Sequence, residues 1–154
     1  MNASDFDTYI DSLADYGAEL FKQGYYCSEA VVLVFEKATD TQVSDDIKRG
    51  MTSFVEGLGS TGCVCGALNA AVFMLSTKLG RTDSSSSSKN AEKSAASIVN
   101  AFKGEHGSTC CRVITKKASK VFGIGRYSTC PACVRTALRA MLKELHSENL
   151  LVIK

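Results

Sequence analysis

Between Gly57 and Thr77 the chain carries no charged side chain: GLGSTGCVCGALNAAVFMLST runs from a glycine-rich loop through two cysteines into an apolar segment. Gly57, Gly59, Gly62 and Gly66 open backbone conformations closed to other residues, so the loop can fold tightly over the entry to a helix. Cys63 and Cys65 are thereby placed where that helix begins. Its first free N–H groups and its dipole favour a negative charge, here a thiolate. From Ala67 to Leu75 only Asn69 is polar, so a helix over about 64–79 is expected to be buried on most of its circumference and central to the fold. Its continuous apolar run is about a dozen residues, short of the roughly 18 to 20 that a bilayer requires, which argues for a buried helix and against a membrane span.

A chain of 154 residues is long enough to bury a core without disulfide staples, and it reads as one domain over 1–154. With one proline, no tryptophan and long periodic segments, the expected class is all-α, a helical bundle of about six to seven helices. A net charge of +2, with Lys and Arg scattered, argues against nucleic acid or a membrane surface as partner. The N-terminal MNASDFDTYIDSLADYG has neither a basic start nor an apolar core, so it is not a signal peptide and the expected location is cytoplasmic.

Periodicity places the other helices. The first spans about Asp5 to Gln23, with Phe6, Ile10, Leu13, Gly17, Leu20 and Phe21 on one face. The second starts near Ser28 as N-cap and carries Val31 to Phe35, a run that also suits a strand; Glu29, Glu36 and the alanines favour helix. Ser44 caps a third, with Ile47, Met51, Phe54 and Val55 inward. After a polar spacer at Ser84 to Ser88, a helix over about Asn90 to Lys103 presents Ala91, Ala95, Ile98, Val99 and Phe102, and Gly104 and Gly107 break it. Ser108 or Thr109 caps a short helix that ends in Lys116, Lys117 and Lys120, cations suited to a helix C-terminus. Cys130-Pro131 opens the last helix, with Val134, Leu138, Met141 and Leu145 inward.

Seven cysteines fall at four places, Cys27, Cys63 with Cys65, Cys110 with Cys111, and Cys130 with Cys133, each at or beside an expected helix start. One such cysteine is an ordinary small hydrophobe, but several converging helix starts would suit a reactive dithiol or an anionic metal–thiolate centre. Cys130 and Cys133 form a C-x-x-C outside any βαβ pattern, which does not support thioredoxin-like chemistry. Cys133, one turn into its helix, reads equally well as core. Adjacent Cys110 and Cys111 are expected to face different neighbours, since a bond between them would be strained. His106 reads as a solvated loop residue and His146 as a partner of a helix C-terminus.

The segments YCSEAV, SFVEGLGSTGCVCGALNA, GSTCCR and TCPACV resemble those of the C_GCAxxG_C_C family, small redox-active proteins named for four characteristic cysteines and a CGAxxG motif. The resemblance covers nearly the whole chain and places the family's four cysteines at Cys27, Cys65, Cys111 and Cys130. Ala70 stands where the motif ends in glycine, and Cys63, Cys110 and Cys133 are additional, each within three residues of a family position. These three could serve as resolving thiols, as further cofactor ligands, or as plain small residues. Family members are often associated with transporter genes, which the resemblance extends to this chain as a possible partner.

Three functions follow as expectations. In the leading one, Cys27, Cys65, Cys111 and Cys130 converge near the start of the central helix and exchange electrons with an unidentified redox partner by disulfide chemistry, which needs no cofactor. Cys65 is then the nucleophile, exposed by the glycine loop and charged by the helix dipole. In the second, the same four thiolates hold an iron–sulfur cluster or another thiophilic metal. In the third, the bundle binds a partner and its cysteines are packing. Sharing of a site between two chains, as a homo-oligomer, is compatible with all three.

Overall fold

The computed structural model describes residues 2–153, which form seven α-helices and one 3-10 turn, with no β-strand among them. The helices are α1 (Ala3–Lys22), α2 (Cys27–Thr39), α3 (Asp45–Thr52), α4 (Gly66–Leu79), α5 (Lys89–His106), α6 (Cys111–Ala118) and α7 (Cys130–Ser147). The all-α bundle expected from periodicity is the fold observed. Asn2 caps α1 in a reciprocal box with Asp5, so the helix starts at Ala3, two residues ahead of the expected Asp5.

The run Val31 to Phe35 is helical. Val31, Val32, Val34 and Phe35 are all buried, so α2 is apolar nearly all round because neighbours enclose it. Its cap is Tyr26, not Ser28. Ser28 is fully buried inside the helix and donates its hydroxyl to the Met51 carbonyl at 2.7 Å, tying α2 to α3. Ser44 does cap α3, which ends at Thr52, so Phe54 and Val55 lie in the turns that follow it.

Helix α4 packs against α2, α5 and α7, while α7 touches α1, α2, α4 and α5, so the centre is shared between these two. Phe73 leaves α4 partly open to solvent, at 41 % exposure. Helix α5 runs through Gly104 and ends at Gly107, in the left-handed region at φ +72°. The burial of Ile98 and Phe102 outweighs the roughly 1 kcal/mol that a glycine costs inside a helix. Along the outside of the bundle, Arg135 and Arg139 of α7 pair with Asp15 and Asp11 of α1. Among the described residues no helix is long and apolar enough to cross a membrane.

Candidate functional site

The starts of α2, α4, α6 and α7 meet at one end of the bundle, and the loop before α4 makes that meeting possible. From Glu56 to Gly62 the backbone is left-handed at Glu56, Gly57, Leu58, Gly59, Ser60 and Gly62, so three residues with side chains share a conformation expected of the glycines alone. Gly57 is the position that admits no side chain: its φ is +75°, and a Cβ there would lie 2.5 Å from the Cys63 nitrogen and 2.9 Å from the Cys111 Cβ. The wound loop turns its carbonyls onto the start of α6. The Cys63 and Gly62 carbonyls accept from the Cys111 and Arg112 amides, the Thr109 carbonyl accepts from the Cys65 amide at 2.8 Å, and Val64 and Cys110 form an isolated antiparallel bridge.

Cys27, Cys65, Cys111, Cys130 and Cys133 line a single cavity of about 260 Å³, beneath a rim that includes Tyr25, Tyr26, Glu56 and Tyr127. The volume falls just below the roughly 300 to 1,000 Å³ usual for small-molecule sites. Phe21, Val55 and Ile114 make most of the remaining wall apolar. Tyr127 donates its hydroxyl to the Glu56 carboxylate at 2.9 Å, closing part of the rim. Gly66 lets α4 approach α2 at this level, where a Cβ would sit 2.7 Å from the Cys27 sulfur and 2.6 Å from the Phe54 carbonyl oxygen.

Of the three additional cysteines, only Cys133 reaches the cavity. Cys63 is exposed on the loop, and Cys110 caps α6 in place of Ser108 or Thr109, with its thiol donating to the Gly62 carbonyl at 3.0 Å. Neither lines the cavity that holds the other five cysteines. Cys110 and Cys111 do face different neighbours.

The thiols differ sharply in charge. Cys65 is lowered from the ordinary 9.0 to about 7, first because the Cys133 thiol donates to its sulfur, then because the Leu68 and Ala67 amides point at it from the start of α4. The dipole argument therefore holds but ranks second to Cys133. Cys65 is also only 7 % exposed, so it meets the cavity and not bulk solvent, contrary to the expectation that the loop exposes it. Burial, reinforced by the Cys65 charge, pushes Cys27 and Cys130 up to about 12 and Cys111 up to about 11. Cys133 is raised above all of these, chiefly because its S–H stabilises the Cys65 thiolate and then because it is buried. A helix start does not activate each thiol. Loop carbonyls occupy the first amides of α6, and α7 has a proline without an N–H just after Cys130.

His106 is not a solvated loop residue. It ends α5, its ring lies 4.7 Å from that of Phe102, and its Nδ1 is 3.9 Å from the Cys133 sulfur. The i, i+4 series Ile98, Phe102, His106 carried this signal, and the expectation that Gly104 breaks the helix concealed it. His146 stands in the last turn of α7, as expected, and stacks on Phe6 at 4.2 Å. Among the described residues no three His, Cys, Asp or Glu side chains are gathered tightly enough to hold a metal ion, so a four-thiolate mononuclear site is not preformed.

The family model C_GCAxxG_C_C, described as "Putative redox-active protein", matches residues 25–144. The match spans all seven cysteines. Comparison with curated proteins and with solved structures finds no significant match.

Proposed function

Because the chain belongs to the C_GCAxxG_C_C family, we propose that it is a thiol–disulfide redox protein whose nucleophile is Cys65 and whose electrons come from the thiols around it. The observation that carries this reading is the meeting of five cysteines on one cavity with Cys65 at the start of α4, where its sulfur is lowered to about 7 while the other four keep their protons. An attacking thiol works best when its pKa lies near ambient pH. The Cys65 thiolate attacks one sulfur of a disulfide, forms a mixed disulfide, and releases the other half as a thiolate that takes a proton from water. A second cavity thiol then displaces the remaining half. Cavity size and apolar walls restrict the disulfide end that enters to a small, uncharged group. Cys27, Cys111 and Cys130 keep their assignment to this chemistry as reducing equivalents that line the cavity. The reading places the protein in a reducing compartment such as the cytoplasm, with a thiol partner that the transporter association of the family would help to identify.

The test uses full-length reduced protein in which exposed Cys63 and off-site Cys110 are serine. Mixed with dithiodipyridine, an uncharged aromatic disulfide, it should release thiopyridone in a fast phase whose rate follows an ionisation near pH 7, with the adduct on Cys65 by peptide mapping. Modification of Cys65 only after unfolding would overturn the assignment. Stoichiometric iron and sulfide in the isolated protein would select the cluster reading instead.

A further inference from the structure

Cys133 lies one turn into α7, 3 % exposed, between two acceptors. On one side it shares the cavity wall with Cys65, whose thiolate its thiol stabilises. On the other, 3.9 Å away, is the Nδ1 of His106. The tautomer of His106 follows from its far side. The Thr136 hydroxyl has one proton and donates it to the Ala132 carbonyl at 3.0 Å, so toward His106 Nε2, also at 3.0 Å, its oxygen can only accept. Nε2 therefore carries the ring proton, and Nδ1 presents a lone pair to Cys133. Burial of the ring disfavours its charged form, which keeps that lone pair free.

We propose that Cys133 is the resolving thiol of the site and His106 the base that takes its proton, so that turnover forms a Cys65–Cys133 disulfide. The inference rests on the disulfide-exchange reading and names a cysteine outside the four family positions. While Cys65 is a thiolate, it holds the Cys133 proton and Cys133 is inert. Once Cys65 has become a mixed disulfide its sulfur is neutral, and His106 Nδ1 is the strongest acceptor left to Cys133. The proton passes to Nδ1 and the Cys133 thiolate attacks the Cys65 sulfur. As the new S–S bond forms, the mixed S–S bond breaks, and the departing thiolate takes the proton back from the imidazolium. Two protein thiols have lost two electrons to one external disulfide, which leaves as two thiols. No hydrogen bond connects Cys27, Cys111 or Cys130 sulfur to a base among the described residues, so none of them has an equivalent route.

The experiment is a single turnover of the protein carrying serine at positions 63 and 110 with dithiodipyridine, timing two thiopyridone equivalents and mapping the disulfide formed. Cys133→Ser should release the first equivalent at the parent rate and then stop as a stable mixed disulfide on Cys65. His106→Asn, which places an amide near the position of Nδ1 but has no basic nitrogen, should leave the first release unchanged and slow the second about 100-fold, the lower range for loss of a general base. Mapping on the parent protein does not depend on how either variant folds. A disulfide joining Cys65 to Cys27, Cys111 or Cys130, or a second release by Cys133→Ser at the parent rate, overturns the assignment of Cys133. Equal slowing of both releases by His106→Asn overturns the role of the imidazole. Absence of any first release in the parent defeats the exchange reading itself, and this assignment with it.

Discussion

Replacing Cys133 by alanine removes the largest influence that holds Cys65 at about 7, the thiol that donates to its sulfur. What stays is burial, which raises Cys65, opposed only by the amides of Leu68 and Ala67. Cys65 should therefore rise toward the ordinary 9.0, a change of up to two pH units or about 3 kcal/mol at roughly 1.4 kcal/mol per unit. At pH 7 its thiolate fraction would fall from about one half to as little as about one hundredth, and its alkylation rate by up to about 50-fold. The assay is iodoacetamide alkylation over a pH series, with Cys63 and Cys110 as serine and the modified peptide identified by mass spectrometry. Cys133→Ser separates hydrogen bonding from packing, because a hydroxyl still donates to the thiolate; that variant should keep the low ionisation that alanine loses. An alanine variant still titrating within half a unit of 7 would refute the claim that Cys133 sets the charge of Cys65.

The reduced protein should lose stability as pH rises above 9, because Cys27, Cys111 and Cys130 ionise in the unfolded chain at the ordinary 9.0 but only at about 12, 11 and 12 when folded. Each contributes a loss of up to about 1.4 kcal/mol per pH unit in that window. Cys65 has the opposite sign, its contribution being complete above 9.0 and lost as pH falls through about 7, so urea midpoints should peak near pH 9 and a profile flat from pH 7 to 10 would contradict the burial argument. Gly57→Ala places a Cβ 2.5 Å from backbone at φ +75° and should destabilise by about 2 kcal/mol or more while slowing Cys65 alkylation, measured by thermal melting and the same mass assay. Ser28→Ala removes the buried 2.7 Å bond to the Met51 carbonyl and should cost about 1 to 3 kcal/mol in urea unfolding, with no change at Cys65.

The helices were legible in the sequence because their causes are local. A face repeating Ile10, Leu13, Gly17 and Leu20, a serine at position 44, or a proline after Cys130 acts over a turn or two and needs no distant partner. The family was legible too, since its motifs are contiguous and span residues 25–144. Even the four cysteine positions could be assigned to helix starts. Tertiary structure alone decided which thiols share the cavity. Cys133 is brought to the cavity of Cys65 by the way α7 packs on α4, while Cys63 and Cys110 stay outside it. His106 joined them only because α5 continued through Gly104, a balance between one glycine and a buried face that no short window contains. Charge depended most on the complete fold. Desolvation of a sulfur sums over every group that excludes water from it, and the donor that lowers Cys65 lies 68 residues further along the chain. Sequence spacing limits which residues can meet along one helix; which protons are shared at the meeting of four helices is set by their packing.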